Sequence, residues 1–396
     1  MSDKMKISGI TLIILPILFS CNNIDIEQKP GKIETFPVKI DFNEAILNNK
    51  IISLSDIADS IKYIRLEDVK NHPLNEIYYS FVFDNDIFLY AGPGSGLLRF
   101  NTDGHFLNEV GKLGNGPHDY YPGSEFAVLS DPQRVFILTR FKPRKILELD
   151  YNGYFIDKFL INDLNDGGFE ALSIEKFLFL SGRSDTLNNE IPEHLACITD
   201  KYGKVLSSVR HPLADCSDNV TGYVHGGAIS GRFFNGSPLF FDEYAIDTIY
   251  SVNENRIYPR YILNKGVEGI PLQINFSVSR RPLRYKYIYT LPASFSETPA
   301  NLHFMFISKG RSYLATYNKK SGDISSMSVA FDTLKQVTND PPRFINDIDG
   351  GLSVVPGKSN REGDIWYYLI PEKQFKNRLS AETGKLSGNI NQDLQI

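Results

Sequence analysis

The sequence predicts an all-β fold, a six-bladed β-propeller with four-stranded blades whose ring is closed by an N-terminal strand. Three observations predict it: turn signals recur at near-constant spacing, short aromatic and β-branched runs flank each turn, and few stretches have helical periodicity. A repeat of this length is typical of solenoids, propellers and arrays. The turn signals stand at Asn101–Gly104, Tyr151–Gly153, Asp200–Gly203, Asn253–Asn255, Lys319–Gly322 and Pro371–Lys373.

The runs around each turn read as the strands of one blade. In the first unit, Asp86–Tyr90 and Leu97–Phe100 precede the turn and His105–Val110 follows it. The run before a turn is apolar on both faces, as expected of a strand buried between sheets, whereas the run after it alternates, as expected of an outer strand half in water. A weaker inner run such as Tyr78–Phe83 completes four strands, and six such units arranged radially form a propeller.

The last unit predicts how the ring closes. It lacks a fourth strand, because Lys373–Ile396 is polar and poor in strand formers. Ile61–Leu66 precedes the first unit without a partner of its own, so we expect it to complete the last blade and remove the open edges. The interval from Glu254 to Gly322 is longer than the others, which leaves a seven-bladed ring as the alternative. We assign the excess to an insertion at about 265–290, between blades four and five.

The first residues predict export. Lys4 and Lys6 form a short positive region, and the apolar stretch Ile7–Phe19 is too short for a confident membrane span. It ends in Leu18-Phe19-Ser20-Cys21, which resembles the lipobox of bacterial lipoproteins. Residues 1–20 are therefore expected to be a lipoprotein signal peptide, with Cys21 as the site of lipid attachment. The alternative is an ordinary signal peptide followed by a coincidental cysteine.

These signals divide the chain into four parts. Residues 21–45 are expected to be the lipidated N-terminus and a flexible tether, 46–375 the propeller, and 376–396 a polar C-terminal tail. Several acyl chains on one cysteine would anchor the protein firmly, so we expect an exported protein attached to the outer membrane. Acidic residues soon after Cys21 resemble the surface-export signal of Bacteroidetes lipoproteins, which favours the cell-surface face over the periplasmic face.

Charge and cysteine content exclude some functions. The formal net charge is −5 and no basic stripe interleaves with aromatic residues, so we expect no nucleic-acid partner. The cysteines have no zinc-ligand spacing. Cys197 and Cys216 could form a disulfide in an exported protein, or Cys197 could be a free thiol buried in an apolar strand.

A glycine-rich motif at Gly111–Tyr120 lies between the first two units. It has neither the terminal Gly-Lys-Ser/Thr of a phosphate-binding loop nor a following helix. It resembles the Gly-x-Gly-Pro-Gly-Glu-Tyr loop of six-bladed β-propeller lipoproteins of Bacteroidetes. Gly114, Gly116, Pro117 and Tyr120 match that pattern, while His118 and Asp119 replace its Gly-Glu pair. The resemblance covers essentially the whole mature chain and implies fold and location but no chemistry, because the function of that family is largely unassigned.

The same motif supplies candidate ligand-binding residues. In one interpretation it is a tight crossover between blades. In the other, His118, Asp119 and Tyr120 line the mouth of the central channel. The next loop on that face carries Arg140 and Arg144, and together with arginines of the insertion (Arg280, Arg281 and Arg284) it could bind an anionic glycan or peptide. The alternative is scattered, solvated charge.

No catalytic or metal-binding residues are assigned. Enzymes with propeller folds of the lactonase type hold calcium with inward acidic and amide side chains, so calcium is the one cofactor left open. The candidate ligands are Asp84, Glu170, Asp242, Glu243, Asn346, Asp347 and Asp349. Carboxylates at blade ends are more often solvated, and the sequence has no Gly-x-Ser-x-Gly motif for a serine nucleophile.

The sequence thus favours an envelope-anchored lipoprotein that binds a ligand or a protein and has no defined catalytic activity. Its expected partners are the membrane, through the N-terminal lipid, and a glycan, a peptide or an envelope protein. The first alternative is a calcium-dependent hydrolase, lyase or lactonase-like enzyme with its site at the central channel. The second is a structural accessory subunit of an outer-membrane complex.

Overall fold

The computed structural model describes most of the chain between residues 36 and 377 and a short segment near the N-terminus. Residues 71, 73, 75–76, 84, 93, 140–142, 162–167, 181–192, 212–213, 215–232, 241–246, 267–290, 331–341 and 373–374 are left out, as are 1–9, 17–35 and 378–396. Outside the described residues therefore lie Cys21, Cys216, nearly all of the expected insertion and nearly all of the expected tail.

The described part of the chain is all-β, as predicted. Its helical residues are confined to α1 (Phe42–Leu47), a 3-10 turn at Leu54–Asp56, and residues 266, 372 and 375–377. The strands are β1 Ile10–Pro16, β2 Val38–Asp41, β3 Lys62–Arg65, β4 Tyr79–Val82, β5 Asp86–Tyr90, β6 Leu97–Asn101, β7 Phe106–Val110, β8 Glu125–Leu129, β9 Arg134–Leu138, β10 Lys145–Leu149, β11 Phe155–Leu160, β12 Gly168–Ala171, β13 Lys176–Leu180, β14 His194–Asp200, β15 Val205–Arg210, β16 Phe233–Phe234, β17 Ser237–Phe240, β18 Thr248–Val252, β19 Ile257–Asn264, β20 Leu291–Glu297, β21 Asn301–Ser308, β22 Arg311–Asn318, β23 Ile324–Ala330, β24 Lys358–Ser359 and β25 Ile365–Pro371.

These strands form six sheets in a propeller-like arrangement. The first to third sheets are β4–β7, β8–β11 and β12–β15, and the fourth is β16–β19 with β2 added. The fifth is β20–β23, and the sixth has the order β24-β25-β1-β3. Five of the sheets thus have four strands, and in four of these the antiparallel strands follow one another in chain order.

The prediction of six four-stranded blades is wrong for the fourth sheet. There β2 pairs in parallel with β19, with Val38 opposite Tyr261 and Asp41 opposite Asn264. The polar residues after Cys21 predict a tether over residues 21–45. The last residues of this segment instead cover the outer edge of the fourth sheet, and α1 follows directly, with the Asp41 carboxylate accepting the Asn43 N–H at its start.

The sixth sheet also differs from the expected ring closure. β3 belongs to this sheet, but it does not pair with β25 as the prediction required. β1, from the expected signal peptide, lies between them and pairs antiparallel with both. A short apolar segment suits a strand position with neighbours on both sides as well as it suits a signal peptide, which is why its pairing escaped the sequence analysis.

The core lies between sheets. Each of six clusters of buried apolar side chains joins two sheets, and the strands contribute alternate residues to opposite clusters. In β5, Phe88 and Tyr90 pack toward the second sheet, whereas Ile87 and Leu89 pack toward the sixth. The middle strands are therefore apolar on both faces because each face packs against a neighbouring sheet, as predicted.

The repeated turns have one common cause. In the first sheet the Asn101 side chain accepts the backbone N–H groups of Asp103 and His105, at 3.1 and 2.9 Å. Asp150, Asp200, Asn253 and Asn318 make the equivalent bonds in later sheets. Such side chains stabilise a turn by replacing a backbone acceptor. The Asn/Asp-x-x-Gly spacing of the first three sheets, and the asparagines at the equivalent place in the fourth and fifth sheets, therefore mark the turn before the outer strand.

Two further findings concern the described helices and the described cysteine. Within the described ranges, no helix is both long and apolar enough to span a bilayer. The Cys197 thiol is buried in β14, and burial raises its pKa to about 11, so it is a poor nucleophile. Its expected alternative partner, Cys216, lies outside the described residues.

Candidate functional site

The glycine-rich motif forms a compact crossover between the first and second sheets. The Tyr120 N–H donates to the Lys112 carbonyl at 3.0 Å, and the Gly114 N–H donates to the Tyr120 carbonyl at 3.1 Å. The Asp119 carboxylate accepts the Gly116 N–H at 2.8 Å. A Cβ atom at Gly116 would lie 2.8 Å from that carboxylate, so glycine leaves room for the bond. In this geometry Asp119 holds the loop together.

Tyr120 anchors the crossover in the core. Its side chain is fully buried and its ring meets Phe126 edge-on. The hydroxyl accepts the Leu97 N–H at 2.7 Å, and burial raises the pKa of Tyr120 above its ordinary value. Tyr120 therefore links the crossover to the start of β6 in the first sheet.

His118 lies toward the outer strand of the second sheet. Its ring stacks on Phe155 of β11, with ring centroids 3.7 Å apart. The neighbouring Pro117 carbonyl accepts a hydrogen bond from the Lys145 ammonium group. Arg144 precedes this lysine and is half-buried, while Arg140 lies outside the described residues. The structure thus brings His118 and the β10 lysine together at the periphery of the crossover.

A second glycine-rich loop, Gly92–Gly96, lies beside this crossover. It joins β5 to β6, and Gly92, Gly94 and Gly96 all have positive φ. The two loops are joined by the Tyr120–Leu97 bond and by the Gly123 N–H, which donates to the Tyr90 hydroxyl at 3.0 Å. This loop is not among the residues predicted from the sequence, although its Gly-Pro-Gly-Ser-Gly run signals a backbone that closely approaches its neighbours.

A histidine and a carboxylate meet at this second loop. The His72 Nδ1–H donates to the Ser95 carbonyl at 2.7 Å, which directs Nε2 toward Glu109, 3.7 Å away. The two side chains are 22% and 32% exposed, respectively. Burial raises the pKa of Glu109, an effect that the nearby imidazole opposes. Both groups can therefore exchange hydrogen bonds with a ligand at the surface.

Tyr78 completes the site with an exposed aromatic face. Its side chain is 53% exposed, and its ring lies 6.1 Å from that of Tyr90. A Cβ atom at Gly92 would come within 2.6 Å of the Tyr78 ring, so the glycine permits this ring position. We call His72, Tyr78, Glu109 and the loop Gly92–Gly96 the glycine-loop site. An aromatic face and a polar pair that contact the same loop can bind a sugar ring or a peptide side chain.

Two acidic candidates for calcium, Asp347 and Asp349, are exposed, and their carboxylates accept hydrogen bonds from the protein itself. The Asp347 carboxylate accepts the N–H and the hydroxyl of Ser55. Asp349 accepts the Asn346 amide at 2.7 Å and the Gly351 N–H. Asp84, Asp242 and Glu243 lie outside the described residues. Over the described ranges, no three His, Cys, Asp or Glu side chains come together in a geometry for a metal ion.

Glu170 is the remaining candidate, and it pairs with an arginine. Arg361, in the loop between β24 and β25, lies 3.3 Å from its carboxylate. The same guanidinium donates to the carbonyls of Val128 and Ala171, on the inner strands of the second and third sheets. Burial raises the pKa of Glu170 to about 7 although Arg361 opposes the rise. The loop of the sixth sheet therefore reaches the inner strands of two other sheets.

Comparisons with solved structures agree with the fold. A crystal structure of a "Putative exported protein" from Bacteroides fragilis NCTC 9343 has a TM-score of 0.51 and 15% identity, covering 76% of this chain and 80% of that one. A protein of unknown function from Bacteroides caccae has a TM-score of 0.36 and 13% identity, covering 81% and 99%. At 15% identity the first similarity supports the fold alone. The TM-score of the second is too low to support a common fold.

Comparison with families is more informative. No functionally curated protein matches the chain. A family model described as a domain of unknown function, DUF4934, matches residues 37–395, from the start of the fourth sheet's added strand to the C-terminal tail. Because this match covers nearly all of the described β-structure, the chain belongs to the DUF4934 family.

Proposed function

We propose that this chain is an exported, lipid-anchored module that binds a glycan, a peptide or an envelope protein through a six-bladed ring. The six core clusters support the ring, since each sheet shares one cluster with the sheet before it and another with the sheet after it. The sixth and first sheets share the cluster that contains Ile64, Val82 and Tyr367. In this proposal β3 is the N-terminal strand that closes the ring.

The N-terminal sequence supports export and anchoring. Two lysines, an apolar stretch and Leu18-Phe19-Ser20-Cys21 are arranged as in a lipoprotein precursor. Cleavage before Cys21 would give a mature chain held in the outer membrane by acyl chains on that cysteine. The name of the Bacteroides fragilis protein, which mentions export, is in keeping with this location.

The glycine-loop site is the observation that carries the proposed binding function. It combines the exposed ring of Tyr78 with the partly exposed His72–Glu109 pair. Both contact a loop in which three glycines have positive φ. The ring would stack on a sugar or an apolar side chain, and the pair would bond to its hydroxyl or amide groups. In this proposal Arg140 and Arg144, the candidates from the sequence, would favour a ligand that carries an anionic group. The proposal includes no catalytic residue and no cofactor.

Binding measurements on the mature chain test this proposal. Residues 21–396 carrying Cys21→Ser are screened against bacterial envelope glycans and peptides, and each hit is titrated by calorimetry. Tyr78→Ala and Glu109→Gln should each weaken binding about tenfold or more, equivalent to roughly 1.4 kcal/mol. Tyr202→Ala is the matched control, because Tyr202 is a similarly exposed tyrosine in the turn between β14 and β15. Equal affinities for Tyr78→Ala and the unmodified protein would overturn the assignment of the site.

A further inference from the structure

The third strand position of the sixth sheet is held by residues of the expected signal peptide. β1 pairs with β25 over seven residues, from Ile10 opposite Pro371 to Pro16 opposite Ile365. On its other side it pairs with β3 over four residues. In the remaining sheets the third strand follows the second strand along the chain, as β6 follows β5. The sixth sheet alone among the described sheets takes its third strand from the N-terminus.

Export would empty this position. If residues 1–20 are removed before Cys21, β25 and β3 each lose the strand that satisfies their backbone N–H and C=O groups. Unpaired groups between two strands of one sheet are costly when buried and attract another strand when accessible. We call the space between β25 and β3 the strand slot. Its existence in the mature protein rests on the proposed function, which includes cleavage of the signal peptide.

The walls of the strand slot belong to the core. Tyr367 of β25 and Ile64 of β3 are each 2% exposed and share a cluster with residues of the first sheet. Trp366, the neighbour of Tyr367, packs instead in the cluster that joins the fifth and sixth sheets. A strand between β25 and β3 is therefore covered on both faces by neighbouring sheets.

The other third strands show which sequence such a position accepts. Consecutive residues of β6 and β14 are buried, for example Leu97 with Leu98, and Leu195 with Ala196. Ile10–Pro16, which reads Ile-Thr-Leu-Ile-Ile-Leu-Pro, is likewise apolar at adjacent positions, with Thr11 as its one polar residue. The C-terminal residues 378–396 contain no two adjacent apolar residues. The chain after β25 therefore offers a poor substitute for β1.

We propose that the mature protein accepts a strand from a partner protein into the strand slot. The partner segment is extended, uncharged, continuously apolar over about seven residues, and antiparallel to both β25 and β3, like β1. Main-chain hydrogen bonds to two strands would give affinity, and the two covered faces would select apolar side chains. In the precursor, β1 occupies the slot and keeps it closed to partners until the signal peptide is removed.

A peptide with the sequence of Ile10–Pro16, extended by lysines for solubility, is the probe. It is added to residues 21–396 carrying Cys21→Ser, and hydrogen exchange and thermal unfolding are recorded. Without peptide, the slot-facing amides of β25 and β3 should exchange faster than those of β5. With peptide at about 100 times its Kd, the folding equilibrium constant should rise roughly 100-fold and these amides should become protected. The matched control is the same peptide with proline in place of the residue corresponding to Ile13, which removes a ladder donor and should bind poorly.

Each other outcome overturns the partner proposal in a recognisable way. Protection of β25 and β3 in residues 21–396 that is lost in residues 21–377 would show that the C-terminal segment fills the slot. Protection that grows with protein concentration would show that a second copy fills it. Failure of the peptide to bind either chain would show that no strand is accepted. Mass spectrometry of the cellular protein separately decides whether residues 1–20 are removed, so a failure of the proposed export is distinguished from a failure of the slot.

Discussion

The Arg361 guanidinium lies 3.3 Å from the Glu170 carboxylate and joins the sixth sheet to the third. These residues are 191 positions apart in the sequence, and both side chains are largely buried. Because the same guanidinium also donates to the carbonyls of Val128 and Ala171, one side chain of the sixth sheet contacts both the second and the third sheets, which are remote from it in sequence. The pair therefore belongs to the interactions that fix the sheets relative to one another.

Removing the arginine should destabilise the protein strongly. Arg361→Met leaves Glu170 buried without its cation and two carbonyls without a donor, so we expect a loss of about 3–5 kcal/mol in the free energy of unfolding. Urea unfolding followed by circular dichroism measures it. The double variant Arg361→Met/Glu170→Gln removes the uncompensated charge and should recover part of the loss. An unfolding free energy unchanged in Arg361→Met would contradict the role given to the pair.

The pH dependence of stability should carry a signature of Glu170. Burial raises the pKa of this carboxyl to about 7 in the folded protein, above its ordinary value near 4.5. The folded state therefore binds the proton of Glu170 more tightly than the unfolded state does. This proton stabilises the folded protein below about pH 4.5, and that stabilisation is lost as the pH rises to about 7. Over this range, the free energy of unfolding of the unmodified protein should fall by about 3 kcal/mol relative to that of Glu170→Gln. Parallel pH profiles of the two proteins would contradict the prediction.

Loss of the Tyr120 hydroxyl should cost stability without touching the surface. Tyr120→Phe leaves the Leu97 N–H buried without its acceptor, and we expect the free energy of unfolding to fall by about 1–3 kcal/mol. Tyr154→Phe is the control, because the Tyr154 side chain is 72% exposed in a turn. Chemical denaturation of the two variants measures the difference. Equal midpoints would show that the Tyr120–Leu97 bond contributes nothing.

Two glycines of the same loop should respond differently to alanine. Both Gly92 and Gly94 have positive φ, so either substitution strains the backbone by about 1 kcal/mol. Only at Gly92 does the added Cβ meet the Tyr78 ring, whereas nothing lies within 4 Å of the Cβ position at Gly94. Gly92→Ala should therefore weaken ligand binding more than Gly94→Ala at similar loss of stability. Calorimetric titration of both variants checks this, and equal affinities would exclude a role for the Tyr78 ring position.

Local patterns in the sequence predicted the repeated parts of the fold. The Asn/Asp turns and the doubly apolar middle strands depend on neighbours within one unit, so a single sequence reveals them. The added strand β2 and the inserted strand β1 depend on pairing with distant segments. The apolar composition of Ile10–Pro16 suits both a signal peptide and a buried strand, and composition alone does not select between these two roles.

The same distinction applies to the candidate site. The glycine motif was found because it resembles a family pattern, and its backbone role follows from the spacing of Gly116 and Asp119. His72 and Glu109 lie far apart in sequence and meet only because the first sheet brings the β5–β6 loop beside β7. Arg361 reaches Glu170 across the fold in the same way. Neither pairing leaves a local signal that sequence reasoning could have used.

The proposed export and lipid anchoring require that the mature protein begin at Cys21, and the mass of its N-terminal peptide tests this most directly. The protein is purified from membranes with a C-terminal affinity tag, digested and analysed by mass spectrometry, with Cys21→Ala as the control. If Cys21 is the lipid-attachment site, we expect an N-terminal peptide that starts at an acylated Cys21 in the unmodified protein and no acylated peptide in the variant. A peptide that starts at Met1, or a soluble chain with an unmodified Cys21, would contradict it.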